Sequence, residues 1–505
     1  MARTIRSVTS RCEARIYHFT KTVLGDGSSI SESDVVASSF TDIKSDDNVI
    51  MSFSFDKSIE ACSGAFSLVL APSINWMSKI RPGDWIAISL GQQGSLDQEV
   101  RCLGNVDRIS QIESVQQDGK RVMNYQVTGR DFGKVLEKYS VWFNNYSPEV
   151  TKQLTLLEST FQVVGTSKDI ISQILDVFLG GKLESNSAST SSTLDAWRIP
   201  FQMGSDFGGP TTFDDNGGTV VSVSLTPANG TVKFNDILFR AFDDVPGYKP
   251  TSAANLMVGS LWEMIRIYGN TVVNEVFTEL IRIDGVMRPA LFLRVYPFTD
   301  NSFSIPSGFD GIATFETLLH VDITGADIIS SNIGVADHDR INLFFLYGDV
   351  PAAKNTTETA LFSKPVVNGA SVKRYGLNAY IVPTSFIASA GSEQVPTLVA
   401  GWNTLLKHWF EENANLESGT FQIIGNNEVK VGRRLLVNDS KTHNGKEFYI
   451  EGYSDTWTYP GIWTQTVQVT RGKVLVNQTQ SSLSVEKITE KTDIFGQTNA
   501  GSRRL

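Results

Sequence analysis

At 505 residues the chain has room for about three domains of ordinary size, and 41% hydrophobic against only 19% charged residues excludes a disordered polymer. A net charge of −10 argues against an outer surface that grips nucleic acid, which needs clustered Lys and Arg. The three cysteines, Cys12, Cys62 and Cys102, are far apart and odd in number; they form neither a disulfide framework nor a Cys-x-x-Cys metal site, and free thiols in a reducing cytoplasm are expected.

The N-terminus, Met1-Ala2-Arg3-Thr4-Ile5-Arg6-Ser7, is basic, but polar residues follow it, unlike a secretion signal. No apolar run approaches the ~20 residues of a membrane span, so no membrane span is expected. The first clear element is a basic turn, Ile80-Arg81-Pro82-Gly83, leading into a half-buried strand at 84–90 with Ile86, Ile88 and Leu90 on one face. Leu103-Gly104-Asn105-Val106-Asp107 and Tyr125-Gln126-Val127-Thr128-Gly129-Arg130 follow. Between them Gln117-Asp118-Gly119-Lys120 carries the Asp-Gly pair of a tight hairpin.

Helices come next. Residues 167–179 place Ile170, Ile171, Ile174, Leu175 and Phe178 at helical spacing, with Ser167 as N-cap and Gly180-Gly181 as stop. The Ser-rich stretch 183–193 and the Gly/Asp-rich stretch 206–224 read as loops. A second helix spans 260–268 with Leu261, Trp262, Ile265 and Tyr268, ending at Gly269. A third spans 397–412 after Pro396, with Leu398, Trp402, Leu405, Leu406 and Trp409 in one stripe. Such stripes are expected to be core or subunit contacts.

The last part repeats the first. Val429-Lys430-Val431-Gly432-Arg433 is again a basic turn, followed by Glu451-Gly452-Tyr453-Ser454-Asp455 and Val467-Gln468-Val469-Thr470-Arg471-Gly472, with a hairpin signal at His443-Asn444-Gly445-Lys446. Gly83 precedes Gly104 by 21 residues and Gly432 precedes Gly452 by 20, whereas the intervals on to Thr128 and Thr470 are 24 and 18. This spacing suits a duplicated β unit whose loops differ. Two copies are too few for a solenoid. Gln126, Thr466, Gln468 and Thr470 face away from the apolar side of their strands, as on a wet surface. From Gln478 the chain is polar, a tail that is either disordered or folds on a partner.

No catalytic motif is present: neither Gly-x-x-x-x-Gly-Lys-Ser/Thr nor Gly-x-Gly-x-x-Gly after a strand, Gly-x-Ser-x-Gly or His-Glu-x-x-His occurs. Asp337-His338-Asp339 is a poor metal site, because neighbours on a strand point to opposite faces. His18, His320, His408 and His443 are scattered. Asp243-Asp244 and Glu411-Glu412 are adjacent pairs in polar surroundings, unlike the separated carboxylates of a glycosidase. No catalytic, cofactor-binding or metal-binding residue is expected, and no cofactor.

Several short motifs in order give the chain a resemblance. Arg81-Pro82-Gly83-Asp84 with Gly104-x-x-Asp107, Glu279-Leu280, Leu293-Arg294-Val295-Tyr296-Pro297-Phe298, Asp339-Arg340-Ile341-Asn342-Leu343-Phe344, Arg374-Tyr375-Gly376, and Phe448-Tyr449-Ile450-Glu451-Gly452 through Thr470-Arg471-Gly472 resemble the central baseplate hub proteins of contractile phage tails. These are the late control D type hubs and, more remotely, the hub half of the type VI secretion spike. Val295 departs from the family, which often has proline there. The match runs from Phe53 to Leu475.

The resemblance implies a mainly β fold with a few helices, a β-rich α+β class. It would comprise a tube-like barrel at 1–155, a middle α+β region at 156–320 with a flexible Ser/Gly-rich segment near 183–230, a second tube-like barrel at 321–477 with a helical insertion near 396–413, and a polar tail at 478–505. It further implies a virion protein of the tail baseplate, assembled in the host cytoplasm. Such a hub is a homotrimer whose six barrels adapt the hexameric tail tube protein to the trimeric central spike protein, held by baseplate wedge proteins. The tape-measure protein and DNA pass through its lumen without specific binding. Two other readings stay open: a tail-associated cell-wall hydrolase acting through the middle region, and a glycan-binding module using Trp142, Trp262, Trp402 and Trp463.

Overall fold

The computed structural model describes residues 9–19, 37–44, 48–92, 99–115, 121–138, 140–142, 171, 220–221, 238–241, 258–283, 286–299, 314–337, 340–348, 365–384 and 395–474. The expected helix at 167–179 (Ile171 apart), the Ser-rich loop, Asp243-Asp244, His338, Asp339 and the tail from Gln478 lie outside them.

The first unit contains β1 (Ser10–Phe19), β2 (Ala37–Lys44), β3 (Ile50–Ser58), β4 (Ala65–Leu70), β5 (Trp85–Gln92), β6 (Glu99–Val115) and β7 (Arg121–Asp131). Their hydrogen-bonded order is β3-β4-β7-β6-β5-β1-β2, all antiparallel. Alternation decides what they bury: Phe53 and Phe55 on β3, Leu68 and Leu70 on β4, and Tyr125 and Val127 on β7 enter one core. On β5 the expected face of Ile86, Ile88 and Leu90 is buried, but Ala87 and Ser89 opposite are buried too, so this strand is covered on both sides.

A short helix α1 (Lys134–Lys138) leads into the middle part. There β8 (Ser140–Trp142), β9 (Val220–Val221), β10 (Leu238–Ala241), β11 (Val258–Ser260), α2 (Leu261–Tyr268), β12 (Asn274–Ile283) and β13 (Val286–Val295) follow. β12 and β13 form a hairpin extended by β10 and β9, and β8 pairs with β11. Helix α2 begins as expected: Ser260 accepts from the Glu263 N–H, the Glu263 carboxylate accepts from the Ser260 N–H, and Gly269 ends it.

The second unit comprises β14 (His320–Thr324), β15 (Ile328–Gly334), then an inserted layer of β16 (Leu343–Gly348), β17 (Val366–Val367), α3 (Gly369–Tyr375), β18 (Ala379–Thr384) and α4 (Val395–Phe410). It resumes with β19 (Glu417–Ile424), β20 (Arg434–Asn438), β21 (Lys446–Thr458) and β22 (Ile462–Val474). The stripe of Trp402, Leu405, Leu406 and Trp409 on α4 packs on Phe344 and Leu346 of β16 and Val273 and Val295 of the middle part.

Six strands of each unit correspond one to one. β3-β4-β7-β6-β5-β1 matches β15-β19-β22-β21-β20-β14, in the same chain order and the same neighbour order. In the last pair β1 is antiparallel to β5, whereas β14 is parallel to β20. Even the bulges coincide: one falls between Ile50 and Ser52 and its twin between Ile328 and Ser330, another between Val106 and Arg108 and its twin between Ile450 and Gly452. The basic turns also coincide. The Gly83 N–H donates to Val106 O as the Gly432 N–H donates to Ile450 O, and both glycines have positive φ, 97° and 77°.

The duplication is therefore real, but its register differs from the motif alignment. Val106 corresponds to Ile450, so Gly104 matches Phe448 and not Gly452, a displacement of four. On the following strand Val127 matches Val467 and not Val469, a displacement of two. The displacement of two on β22 keeps the face of a period-two pattern, whereas the displacement of four crosses the bulge between Ile450 and Gly452 and sets buried Val106 beside Ser454 and buried Tyr453 beside Asn105.

Candidate assembly interface

The units meet along β3 and β21, which merge them into one 13-stranded sheet. Antiparallel pairs run from Gly452↔Ser58 to Thr458↔Ser52. Backbone bonds from Ile59 N–H to Glu451 O, 2.8 Å, and from Tyr459 N–H to Met51 O, 3.0 Å, extend the seam. Phe53 and Phe55 bury one side of it with Tyr453 and Trp457.

Arg101 on β6 crosses into the second unit. Its Nε and Nη2 donate to one oxygen of Asp455, at 3.0 and 2.9 Å, and its Nη1 donates to the carbonyls of Asn427 and Val429. The other Asp455 oxygen accepts from Trp463 Nε1, 2.9 Å, and Gln465 Nε2, 2.6 Å. The guanidinium also lies over the Tyr453 ring.

The β12–β13 hairpin joins both units through buried charges. Lys57 Nζ donates to Asp131, to Cys62 O and to Thr278 Oγ1. Lys430 Nζ donates to Glu99, 3.0 Å, and to Leu280 O, 2.8 Å, while Glu279 accepts from the Val431 N–H. Arg294 donates to Glu275, to Gly432 O and to the Tyr449 hydroxyl, which itself donates to Glu275 at 2.6 Å. Burial pushes the Asp131 carboxyl up against the opposing pull of Lys57, and burial with Glu275 pushes the Tyr449 phenol well up. Burial alone would lower Arg294, but Glu275 and Tyr449 outweigh it and raise its affinity for the proton. Such paired buried charges fix geometry more than they add stability.

Three of the motifs behind the resemblance meet around Tyr449. Arg294 reaches Tyr449 across 155 residues of chain, Phe298 stands edge-on to Tyr449 at 5.2 Å, and Arg471 lies 3.4 Å from the Phe298 ring centre. Arg340 stacks on Tyr375 at 3.6 Å in the inserted layer. The bolts Lys57, Glu99, Arg101 and Glu275 were not singled out from sequence, and Asp455 was named only as the end of a repeated Gly-x-x-Asp motif. Their one local signal is a charge inside an otherwise apolar strand, as Glu99 and Arg101 beside Val100, Cys102 and Leu103.

The polar candidates scatter. Asp337 binds Arg340, Glu411 binds Asn368 and Lys407, Glu412 binds Asn415, and His320 stands 3.5 Å from Asp322 on the surface. His443 touches Ser331 Oγ at 3.3 Å. Among the described residues no three His, Cys, Asp or Glu side chains gather as a metal site, and no helix is long and apolar enough to cross a membrane. Trp262, Trp402 and Trp463 are buried, which removes them as glycan platforms.

No protein-family model matches the chain, and no curated protein does. Solved structures similar to it include the tail protein from Neisseria meningitidis MC58, at 10% identity and a TM-score of 0.42, covering 91% of this chain and 96% of that one. The 43 kDa tail protein of prophage MuSo2 from Shewanella oneidensis is similar at 12% identity and TM-score 0.43, covering 92% and 98%. The E. coli c3393 protein, a component of the type VI secretion system, is similar at 8% and 0.35, covering 83% and 73%. These similar structures are phage-tail and type VI secretion proteins.

Proposed function

We propose that this chain is the structural hub of a contractile phage tail baseplate. Three copies place six sheet units in a pseudo-sixfold ring that adapts the hexameric tail tube to a trimeric spike and lines the channel for DNA. The observation that carries this reading is the duplicated six-strand unit, joined edge to edge within one chain. A head-to-tail contact that repeats such a joint between chains generates a closed ring when its rotation closes. The exposed Thr466 and Gln468 faces suit a wet lumen wall. The division into barrels at 1–155 and 321–477, a middle region and a tail belongs to the same proposal, as do the tube, spike, wedge and tape-measure partners and the virion location. The role proposed is non-catalytic.

Light scattering on the purified chain tests it: the expected mass is three times 55.5 kDa, with ring-shaped particles in electron micrographs. A monomer at all concentrations would sink the proposal. Peptidoglycan clearing that one carboxylate substitution abolishes would replace it with the hydrolase reading.

A further inference from the structure

The strand correspondence leaves two edges without a ladder partner among the described residues. β21 carries β3 on its distal half, but the distal half of its counterpart β6, from Arg108 to Val115, pairs only with β7. β3 is held between β4 and β21, but its counterpart β15 pairs only with β19. One chain therefore holds both halves of the joint that it has already made once, on opposite ends of its two units.

Both edges have the chemistry of a contact. Ile112 and Val115 on β6 are 42% and 66% exposed, and Ile329 on β15 with Val335 just beyond it are 48% and 62% exposed. Natural edge strands are blunted by Lys, Pro or an inward charge, yet β15 reads Ile-Ile-Ser-Ser-Asn-Ile-Gly with no charge and no proline. Its bulge at Ile329 sits where Met51 makes the last backbone bond of the intrachain seam.

We propose that β15 of one chain adds antiparallel to the distal edge of β6 of the next copy, repeating the β3–β21 seam between chains. This rests on the homotrimeric reading and deepens it by naming the joint. Transferring the intrachain register residue by residue pairs Arg108 with Ala336, Ser110 with Gly334, Ile112 with Asn332 and Ser114 with Ser330 of the neighbour. In the intrachain seam the bonds at Glu451 and Tyr459 place Thr456↔Ser54 at a position without mutual hydrogen bonds. Its equivalent, Ile112 opposite Asn332, is thus a close pair with Cα atoms roughly 4.5 Å apart, inside the Cα range that a disulfide spans. The copies differ in one respect: Gln111 stands where Asp455 receives Arg101, so the chain-to-chain joint lacks that buried ion pair and is the weaker of the two.

The test is the double variant Ile112→Cys/Asn332→Cys in the full chain, oxidised mildly and run without reductant. The three native thiols are buried and should stay silent. A covalent product that stops at three chains, absent from either single variant, is expected. Ser331→Pro is the companion: Ser331 corresponds to Phe53, whose N–H faces the seam, so proline there blocks addition while sparing the β19 ladder. It should yield folded monomer by circular dichroism and light scattering. A wild-type trimer in which the cysteine pair does not link, or which Ser331→Pro leaves intact, overturns this joint and keeps the trimer. A wild-type monomer overturns both.

Discussion

Arg101 and Asp455, 354 residues apart, share one carboxylate oxygen between two guanidinium N–H groups at 3.0 and 2.9 Å in the interior of the joint between the two units. Neither side chain is more than 1% exposed. The pair acts as a latch on the β3–β21 seam, because β6 belongs to the first unit and β21 to the second.

Removing one half of that latch leaves the other charge buried. Arg101→Met should cost on the order of 3–5 kcal/mol, the usual penalty for an uncompensated buried ion. Trp463 and Gln465 still donate to Asp455 and hold the loss toward the lower end. The double variant Arg101→Met/Asp455→Leu should recover most of the loss in urea unfolding. A double variant as unstable as the sum of two singles would show that the pair is not coupled.

The two turn glycines separate backbone strain from crowding. Gly83 has φ 97° with open space around a hypothetical Cβ, while at Gly432, φ 77°, that Cβ would stand 2.8 Å from both Arg294 Nη2 and Phe277 Cζ. Gly83→Ala should cost about 1–2 kcal/mol from conformation alone. Gly432→Ala should add about 1–3 kcal/mol from overpacking and disturb the Arg294 bond to Gly432 O. Equal losses in denaturant melts would refute the difference in surroundings.

What could be read from sequence follows interaction range. The strands showed themselves through period-two burial, helix α2 through Ser260, Glu263 and Gly269, and the basic turns through glycines that only a positive φ requires. The duplication was visible but misaligned: a period-two pattern is blind to the shift of two on β22, and the bulge on β21 hid the shift of four. The β3–β15 correspondence was hidden because Phe53 and Phe55 of one copy face Ser331 and Ile333 of the other. The β16–α4 layer between β15 and β19 broke the spacing further. The charged bolts were out of reach for another reason: nothing local on β6 says that Arg101 will meet Asp455 or that Glu99 will meet Lys430.

The thiols give a burial test. Cys12, Cys62 and Cys102 are at most 2% exposed, and burial is the main cause raising all three thiols far above their ordinary range. With thiolate suppressed and access closed, an aromatic disulfide reagent should find essentially no reactive thiol in the native protein at neutral pH, and three per chain in denaturant. One fast-reacting thiol in the folded state would contradict the packing around it.

His443 should make stability fall on mild acidification. Its ring lies against Phe421 and Phe448, and its Nδ1 is buried without a hydrogen-bond partner among the described residues. Desolvation and then the Lys446 charge lower its pKa below the ordinary histidine value, with Glu417 opposing. The unfolded chain therefore takes up the proton first as pH falls, so the neutral ring's contribution is complete above about pH 6.5 and is lost between there and the lower folded value. One such site can contribute a slope of at most about 1.4 kcal/mol per pH unit, and partial solvation of this ring holds it well below that. Measured by urea midpoints from pH 7.5 to 5, His443→Gln should flatten this part of the profile. The same ring touches Ser331 on β15, so if that strand docks on a neighbour, the assembled ring should loosen in the same pH window, and His443→Gln should remove that loosening. An unchanged slope in the variant would assign the acid response to other groups.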